Sequence, residues 1–362
     1  MSKMRFMPWF VDYRHTSRRA GNHQLLILVL ITGITAFCAL PSAISETNSF
    51  HTGSIPLDTE GKPINAHWTS MLNYQGVYYW FGERMEGKTV DQHVPLTGLA
   101  CYSSQDLYHW KNEGIVLPPV TNDPSSDLAF GKYRERAKVV YNRRTHKFVM
   151  WLHLDSVDYS YARAGVAVSD SPTGPYKFLG SMRPNDAEVR DMTLFQDEDG
   201  KAYLVYASEQ NRTMHIDQLT DDYLKPNGVT TRVFIDQFRE APAVFRVGGK
   251  YFLLNSKCAD WRPSASLYAV ATSMMGPWKV MGNPAVGPGA EITFNSQSTY
   301  VLPVAGHPGA FIFMADRWNS NDLMDSRYIW LPMSVRGDKV EIKWRDKWDL
   351  AVFDKHALSR GK

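Results

Sequence analysis

Short apolar runs, each entered through a polar or glycine-containing turn, recur along the chain. Five such runs of aromatic and β-branched residues occupy positions 75–80, 146–151, 199–206, 248–254 and 309–314. A glycine turn before an apolar run is typical of a β-hairpin, since glycine adopts positive φ without a steric penalty. The spacing therefore predicts one antiparallel unit that is repeated five times.

A second feature follows most of these runs, a polar turn that is closed by an aromatic residue. The closing residues are Trp110, Tyr176, Tyr223 and Trp278. Long amphipathic helical patterns are absent from the sequence, and a β-sandwich gives no reason for so regular a repeat. We therefore predict an all-β fold, in which a five-bladed β-propeller surrounds a central channel as a single domain.

The N-terminal segment has a different pattern. Basic residues at 14–19 precede a continuous apolar stretch at 25–40, and small residues follow at 43–45. This order is typical of a signal peptide, and the apolar stretch is somewhat short for a membrane span of about 20 residues. We predict that residues 1–45 are a signal peptide or an uncleaved signal anchor and that residues 46–362 form the propeller. The domain is then secreted, periplasmic or extracellular, either free or tethered to a membrane.

Composition and charge narrow the function classes. The chain is 44% hydrophobic and 13% aromatic, and its 40 Lys+Arg nearly balance its 37 Asp+Glu. No basic run occurs in the body of the chain, so we expect no nucleic-acid partner. Cys101 and Cys258 could form one disulfide, but their spacing does not require it, and we expect two free thiols. No CxxC or His/Cys cluster indicates a zinc site, and we predict no metal or cofactor.

Carboxylates lie beside apolar or aromatic residues near four of the repeats, namely Glu83, Glu135, Asp191 and Glu240. A carboxylate that enters an apolar strand is unfavourable unless it is paired or functional. A structural ion pair is the simpler interpretation of any single one, but their recurrence favours a pocket lined by carboxylates. Glycoside hydrolysis uses such a pocket, because an acid protonates the leaving oxygen and a second group handles water or the anomeric carbon. Glu240 is the best candidate acid, and Asp191 is the neighbour that would raise its pKa.

The motifs of the chain resemble those of glycoside hydrolase family 43, above all the branch that contains exo-β-1,3-galactanases. The resemblance extends from about residue 57 to about residue 350. It rests on residues 79–83, 101–107, 161–167, 169–175, 190–195, 239–243, 296–299 and 316–318. Any one of these motifs alone would be weak, whereas the set is specific. The resemblance implies a five-bladed propeller and an inverting glycosidase.

The same resemblance implies roles for individual residues. Glu240 is expected to be the general acid, and Asp191 is expected to orient it and raise its pKa. Most of the family has a general-base aspartate in the opening strand of the first blade, but this chain has no carboxylate at the corresponding residues 65–71. In the galactanase branch a glutamine at the position of Gln297 is proposed to hold the attacking water. Glu83 is the other candidate near the water, as a base or as a ligand of a sugar hydroxyl.

Five further residues are predicted to bind substrate, namely His67, Arg190, Arg239, Trp261 and Trp318. Trp261 and Trp318 could provide flat faces on which galactose stacks. The galactanase branch usually has a glycine-rich stretch after the position of His67, and this chain has Trp-Thr-Ser at 68–70. Bulkier side chains there predict a narrower or reshaped subsite.

The expected activity is therefore the removal of β-linked galactose from a polysaccharide or oligosaccharide, with inversion. Three alternatives remain open. The first is an α-L-arabinofuranosidase or β-xylosidase of the same family, which the missing base aspartate disfavours. The second is hydrolysis of another galactoside, such as a β-1,6-linked side chain, because a few subsite contacts decide linkage. The third is a non-catalytic carbohydrate-binding propeller, which the presence of both Asp191 and Glu240 disfavours.

Overall fold

The protein is described by a computed structural model that covers residues 48–354. The predicted signal peptide or anchor at 1–45 lies outside the described residues. Within 48–354, no helix is both long enough and apolar enough to cross a bilayer.

Five antiparallel sheets follow one another along the chain and form the blades of a propeller, as predicted. Blade I contains β2 (His67–Tyr74), β3 (Val77–Met85), β4 (Leu96–Ser104) and β5 (Lys111–Leu117). Blade II contains β6 (Tyr133–Asn142), β7 (Lys147–Asp155), β8 (Arg163–Ser169) and β9 (Lys177–Met182). Blade III contains β10 (Met192–Gln196), β11 (Ala202–Ser208), β12 (Thr213–Leu219) and β13 (Pro226–Val233).

The last two blades continue this order. Blade IV contains β14 (Arg239–Val247), β15 (Lys250–Lys257), β16 (Ser266–Ala271) and β17 (Lys279–Gly282). Blade V contains β19 (Gln297–Pro303), β20 (Phe311–Arg317), β21 (Arg327–Arg336) and β22 (Lys339–Lys343), and the short β18 (Ala285–Val286) joins β22 in parallel. β1 (Phe50–His51) pairs with β23 (Lys347–Trp348), and short 3₁₀ helices occupy Pro184–Asp186, Ala290–Ile292, Leu323–Asp325 and Leu350–Val352.

The five apolar runs of the sequence are the second strands of the five blades, β3, β7, β11, β15 and β20. Each run is apolar on both faces because each blade is buried between two neighbours. In β7, Phe148 and Met150 pack toward blade I, whereas Val149 and Trp151 pack toward blade III. Successive side chains of a strand point to opposite faces, so a doubly buried strand reads as a continuous apolar run.

Blade V packs against blade I without exchanging a strand with it, so side chains close the ring. The indole rings of Trp80 and Trp330 lie 4.8 Å apart in this interface. The Tyr328 hydroxyl accepts the N–H of Ala66 at 2.9 Å and donates to the carbonyl of Ile64 at 3.2 Å. The β1–β23 pair lies beside this cluster, since Phe50 and Trp348 belong to it.

The first strands of the blades, β2, β6, β10, β14 and β19, contact one another around the ring. They therefore line the central channel, and the residues at their starts surround its mouth. This placement brings together side chains that lie far apart in the sequence.

Candidate active site

A pocket of about 350 Å³ opens at the end of the channel where the first strands begin. Every blade contributes to it, with Trp68 from blade I, Glu135 and Arg136 from blade II, Asp191 from blade III, Glu240 from blade IV and Gln297 from blade V. The connecting segments and second strands add His93, His153, Tyr159, Arg190, Asn211, Cys258, Asp260, Trp261 and Trp318.

One backbone irregularity recurs at this end of the first strands. The register with the second strand shifts between His67 and Ser70, between Glu135 and Lys138, and between Glu240 and Ala243. In each case the residue after the first of the pair has a left-handed φ, namely Trp68 (56°), Arg136 (54°) and Ala241 (54°). Bulges of this kind re-aim side chains at the ends of strands. Two of these bulges begin at carboxylates that line the pocket, Glu135 and Glu240.

Glu240 is held in a form suited to donating a proton. Its side chain is 8% exposed, and the Gln297 amide Nε2 donates to its Oε1 at 2.8 Å. Burial, and then the negative charge of Asp191, raise the pKa of Glu240 to about 8. A carboxyl with such a pKa is largely protonated at neutral pH, which is what a general acid requires.

Asp191 is fixed beside the acid by two donors. The Arg136 guanidinium Nη2 lies 2.8 Å from Asp191 Oδ2, and the backbone N–H of Ala241 donates to the same oxygen at 3.0 Å. Since Ala241 follows Glu240 directly, this hydrogen bond connects the start of β14 to the carboxylate of Asp191. Asp191 therefore both orients the acid strand and supplies the charge that keeps Glu240 protonated.

The Gln297 side chain is oriented by its neighbours. Its carbonyl oxygen Oε1 accepts from Arg136 Nη2 at 2.6 Å and from Trp318 Nε1 at 3.2 Å. With two donors on the oxygen, the amide nitrogen must face Glu240. One N–H of that nitrogen remains to donate to a water, but the amide has no free acceptor with which to take a proton. The geometry therefore allows Gln297 to position water and gives it no role as a base.

Glu83 is not among the residues that line the pocket. Its side chain is fully buried, its Oε1 lies 3.3 Å from Arg134 Nη2, and it accepts the N–H of Gly98 at 3.2 Å. Burial raises its pKa to about 7. Glu83 lies opposite His67 in the second strand of blade I, one strand away from the channel. This position leaves it out of reach of a sugar or a water in the pocket.

Three of the five predicted substrate-binding residues line the pocket, namely Arg190, Trp261 and Trp318. The other two do not. His67 is 4% exposed, and its Nδ1 lies 3.4 Å from Asp316 Oδ1 beneath the pocket. Arg239 is half-buried, and burial lowers its pKa.

Three tryptophans form one wall of the pocket. The ring of Trp318 lies 4.9 Å from that of Trp68 and 5.4 Å from that of Trp261. Trp68 comes from the Trp-Thr-Ser stretch that was expected to narrow the subsite, and its backbone N–H donates to Asp316 Oδ2 at 2.8 Å. Its neighbours Thr69 and Ser70 are buried and do not line the pocket, so Trp68 alone brings the added bulk to it.

A second polar network lies in blade II, around Glu135. The Tyr159 hydroxyl donates to Glu135 Oε1 at 2.9 Å, and His153 lies between Glu135 (3.3 Å) and Asp155 (2.9 Å). Burial lowers the pKa of His153, but the hydrogen bonds to Asp155 and Glu135 raise it to about 9. Atoms of Glu135, His153 and Asp191 lie within 4.8 Å of one another. Because these groups already pair with one another and with Arg136, we assign no metal ligand among them.

Several lining residues were not predicted as catalytic or substrate-binding residues, namely His93, Arg136, His153, Tyr159, Asn211, Cys258 and Asp260. Glu135 was identified only as one of four candidate carboxylates, and Trp68 only as part of the Trp-Thr-Ser stretch. A signal for one of the unpredicted residues exists, since Arg136 follows Glu135 as Ala241 follows Glu240. The rest lie in second strands and connections, where no local pattern marks them. Cys101 and Cys258 are both free, as expected, with Cys101 buried and Cys258 half-buried at the pocket.

A carboxyl acid with a raised pKa, held beside a second carboxylate and an amide at the mouth of a propeller, defines a glycosidase, an enzyme that hydrolyses O-glycosyl bonds. The family model of the glycosyl hydrolases family 43 matches residues 63–318, and the chain belongs to this family. The match covers all five first strands and the pocket residues described above.

Solved structures of this family are similar over most of the described chain. A GH43 β-1,3-galactosidase has 41% identity and a TM-score of 0.80, over 85% of this chain and 64% of its own. A second GH43 β-1,3-galactosidase, solved with galactodeoxynojirimycin, has 41% identity and a TM-score of 0.78, over 83% of this chain and 100% of its own. The exo-β-1,3-galactanase from Phanerochaete chrysosporium, solved with β-1,3-galactotriose, has 32% identity and a TM-score of 0.77, over 84% of this chain and 68% of its own.

Proposed function

We propose that this chain removes terminal galactose from β-1,3-linked galactan or galacto-oligosaccharides, with inversion at the anomeric carbon. The observation that carries the proposal is the buried, protonated Glu240 beside Asp191 and Gln297. The similarity to β-1,3-galactosidases and an exo-β-1,3-galactanase supports the choice of sugar and linkage. A pocket enclosed by all five blades suits the end of a chain better than an internal segment.

In this mechanism Glu240 delivers its proton to the glycosidic oxygen as the bond to the anomeric carbon breaks. Inverting enzymes activate a water on the opposite face of the sugar, with the acid and the water-activating group about 6.5–9.5 Å apart. Gln297 lies against the acid and can orient a water through its free N–H. Glu135 is a buried pocket carboxylate on a different blade from Glu240, and we assign to it the acceptance of the water proton. The Tyr159 hydroxyl donates to Glu135, and His153 lies 3.3 Å from its other oxygen, so both neighbours hold the carboxylate in place.

A substrate panel tests the proposal. The full chain is incubated with β-1,3-galactotriose, β-1,6-galactobiose and aryl α-L-arabinofuranosides and β-xylosides, and the released monosaccharide is quantified. We expect galactose from the β-1,3-linked substrate and at least about tenfold lower kcat/KM on the others, a difference of about 1.4 kcal/mol. Faster release of arabinose or xylose would reject the assignment of sugar. Binding of galactotriose without cleavage would favour a carbohydrate-binding propeller.

Trp68 offers a test of the pocket wall. Replacing it by glycine removes an aromatic contact, and we expect KM for β-1,3-galactotriose to rise about 3–10-fold, as for an aromatic contact of about 0.5–1.5 kcal/mol. The wider pocket should also raise the relative kcat/KM for β-1,6-branched substrates. Steady-state kinetics on linear and branched oligosaccharides measure both effects. An unchanged ratio between the two substrates would contradict the role of Trp68 in selectivity.

Trp68→Ala is the matched control, because it removes the same ring but keeps a Cβ at a left-handed φ of 56°. That conformation costs about 1 kcal/mol for residues other than glycine. We therefore expect the alanine variant to share the kinetics of the glycine variant and to unfold at a lower temperature.

The N-terminal pattern at 1–45 supports a further proposal about location. We propose that the enzyme acts outside the cytoplasm, as a secreted, periplasmic or extracellular protein, either free or tethered by an uncleaved anchor. N-terminal sequencing of the mature protein distinguishes cleavage near residue 45 from retention of the segment.

A further inference from the structure

A buried lysine of blade II holds the bulge through which blade I reaches the pocket. Lys138 lies in β6, is 1% exposed and is not among the residues that line the pocket. Its Nζ donates to the carbonyl of Trp68 at 3.0 Å and to the carbonyl of Thr69 at 2.9 Å. A single amine therefore bonds two consecutive peptide groups of the neighbouring blade.

The bulge explains why these two carbonyls need a partner. The register of β2 with β3 shifts at this point, and Trp68 and Thr69 have no partner in it. A bulge interrupts the ladder of hydrogen bonds, and a buried carbonyl that is left without a donor is unfavourable. Lys138 supplies the donors from the neighbouring blade.

Trp68 is held from two sides. Its N–H donates to Asp316 Oδ2 of blade V at 2.8 Å, and its carbonyl accepts from Lys138 of blade II. Its φ of 56° is a conformation that a bulky residue retains only where its surroundings enforce it. The indole ring that follows from this backbone lies 4.9 Å from that of Trp318 and lines the pocket.

We propose that Lys138 is a positioning residue that fixes the indole of Trp68 in the substrate-binding wall of the pocket. The inference rests on the proposed function, because it concerns the recognition of the galactoside in that pocket. Lys138 acts through the backbone of the bulge and not through a contact of its own with the substrate. It would therefore determine affinity from a position outside the lining of the pocket.

The donors of Lys138 matter here, and its charge does not. Burial, and then the charge of Arg136, lower the pKa of Lys138 well below its ordinary value, whereas Asp316 and Asp191 raise it. An ammonium has three N–H donors and a neutral amine has two, so either form can serve both carbonyls. Methionine has a side chain of similar length without any donor, which makes Lys138→Met the informative substitution.

Substrate binding and the chemical step should respond differently to this substitution. Trp318 and Gln297 stay connected if the bulge relaxes, because Trp318 Nε1 donates to Gln297 Oε1 at 3.2 Å. The same oxygen also accepts from Arg136 Nη2 at 2.6 Å. Loss of the hydrogen bonds from Lys138 should therefore displace Trp68 and leave the groups beside the acid in place.

Kinetics of the full chain on β-1,3-galactotriose test the inference. In Lys138→Met we expect KM to rise about 3–10-fold, as for the loss of an aromatic contact, with kcat within about twofold of the parent's. In a Trp68→Gly background the same substitution should change KM by less than about twofold, because the ring that Lys138 positions is already absent. Lys339→Met is the matched control, since the Lys339 side chain is 70% exposed, and it should behave as the parent.

Near-UV circular dichroism gives a readout that needs no substrate, because it reports the fixed packing of aromatic side chains. The difference between the spectra of the parent and Trp68→Gly isolates the contribution of this indole. Lys138→Met should lose the same contribution although it retains Trp68. If the parent itself releases no galactose, the proposed function fails, and the spectra still decide whether Lys138 positions the ring.

Three results would overturn the inference. KM of Lys138→Met could equal the parent's, the effects of Lys138→Met and Trp68→Gly on KM could multiply in the double variant, or Lys138→Met could keep the parent's near-UV spectrum. Thermal unfolding reports whether each variant folds. If Lys138→Met does not fold, Lys138→Gln, whose shorter side chain keeps one amide donor group, takes its place in every comparison, and the same three results count against the inference.

Discussion

Replacing Glu240 by glutamine is expected to lower kcat on β-1,3-galactotriose by about 10²–10⁴-fold, the usual contribution of a general acid. Glutamine keeps the size of the side chain and an oxygen that can accept from Gln297, but it has no proton to give. The loss should be far smaller on an aryl galactoside with an acidic phenol, because that leaving group departs without protonation. Steady-state kinetics on the two substrates measure this contrast.

A matched control for Glu240→Gln is Glu198→Gln. Glu198 lies in the turn between β10 and β11, and its side chain is 88% exposed. That variant should behave as the parent on both substrates. A Glu240→Gln loss of the same size on both substrates would contradict the role of Glu240 as the acid and would indicate a defect in binding or folding.

Replacing Asp191 by asparagine is expected to change both the pH profile and the stability. The charge of Asp191 helps to raise the pKa of Glu240 to about 8, so its removal lowers that pKa. The acid then loses its proton at lower pH, and the basic limb of the kcat/KM profile moves to lower pH. Above the new pKa, activity falls about tenfold for each unit of this shift.

The stability effect of Asp191→Asn follows from Arg136. Its guanidinium is 1% exposed and would lose the negative charge of its 2.8 Å partner, and a buried charge without a partner of opposite charge destabilises a protein by about 3–5 kcal/mol. Asparagine keeps an oxygen that can accept the N–H of Ala241, which limits other changes. Urea unfolding measures the loss in the free energy of unfolding, and the pH dependence of kcat/KM measures the position of the basic limb.

Asp199→Asn is the control for this experiment, because Asp199 pairs with Lys201 at an exposed turn where both side chains are about half exposed. Exposed pairs contribute about 0–1 kcal/mol, so little change is expected there. An Asp191→Asn variant with the parent's basic limb would contradict the assignment of Asp191 as the group that keeps Glu240 protonated.

The propeller could be predicted because its sequence repeat has a physical cause. Each second strand is buried between two blades, so it must be apolar on both faces, and four of the five are entered through a short hairpin turn. The runs at 146–151 and 248–254 show this pattern without any helical period. The apolar residues of both runs lie in second strands, β7 and β15, of the structure.

The site was predictable only in part. Asp191 and Glu240 precede the apolar run of their own repeat, and the structure places them at the starts of first strands, facing the channel. Glu83 instead follows its run at 75–80, which places it at the far end of a second strand. Whether a carboxylate precedes or follows the apolar run of its repeat therefore distinguishes a position at the channel from one in a second strand. An aromatic sequence context such as that of Glu83 does not distinguish them.

Residues that reach the pocket through backbone irregularities could not be predicted from periodicity. Arg136 and Trp68 adopt left-handed φ within bulges, and the alternation of a regular strand gives no indication of where such side chains point. Cys258 and Asn211 come from different blades and meet only in three dimensions. Their contact depends on a distance in the folded chain that a linear pattern does not contain.

The most direct test of the account is the anomeric configuration of the first product. The full chain is mixed with β-1,3-galactotriose in an NMR tube, and the anomeric protons of released galactose are followed before mutarotation. An inverting enzyme with Glu240 as acid releases α-galactose first, and we predict this result. Initial release of β-galactose would contradict inversion, and with it the assignment of a water-activating group opposite the acid.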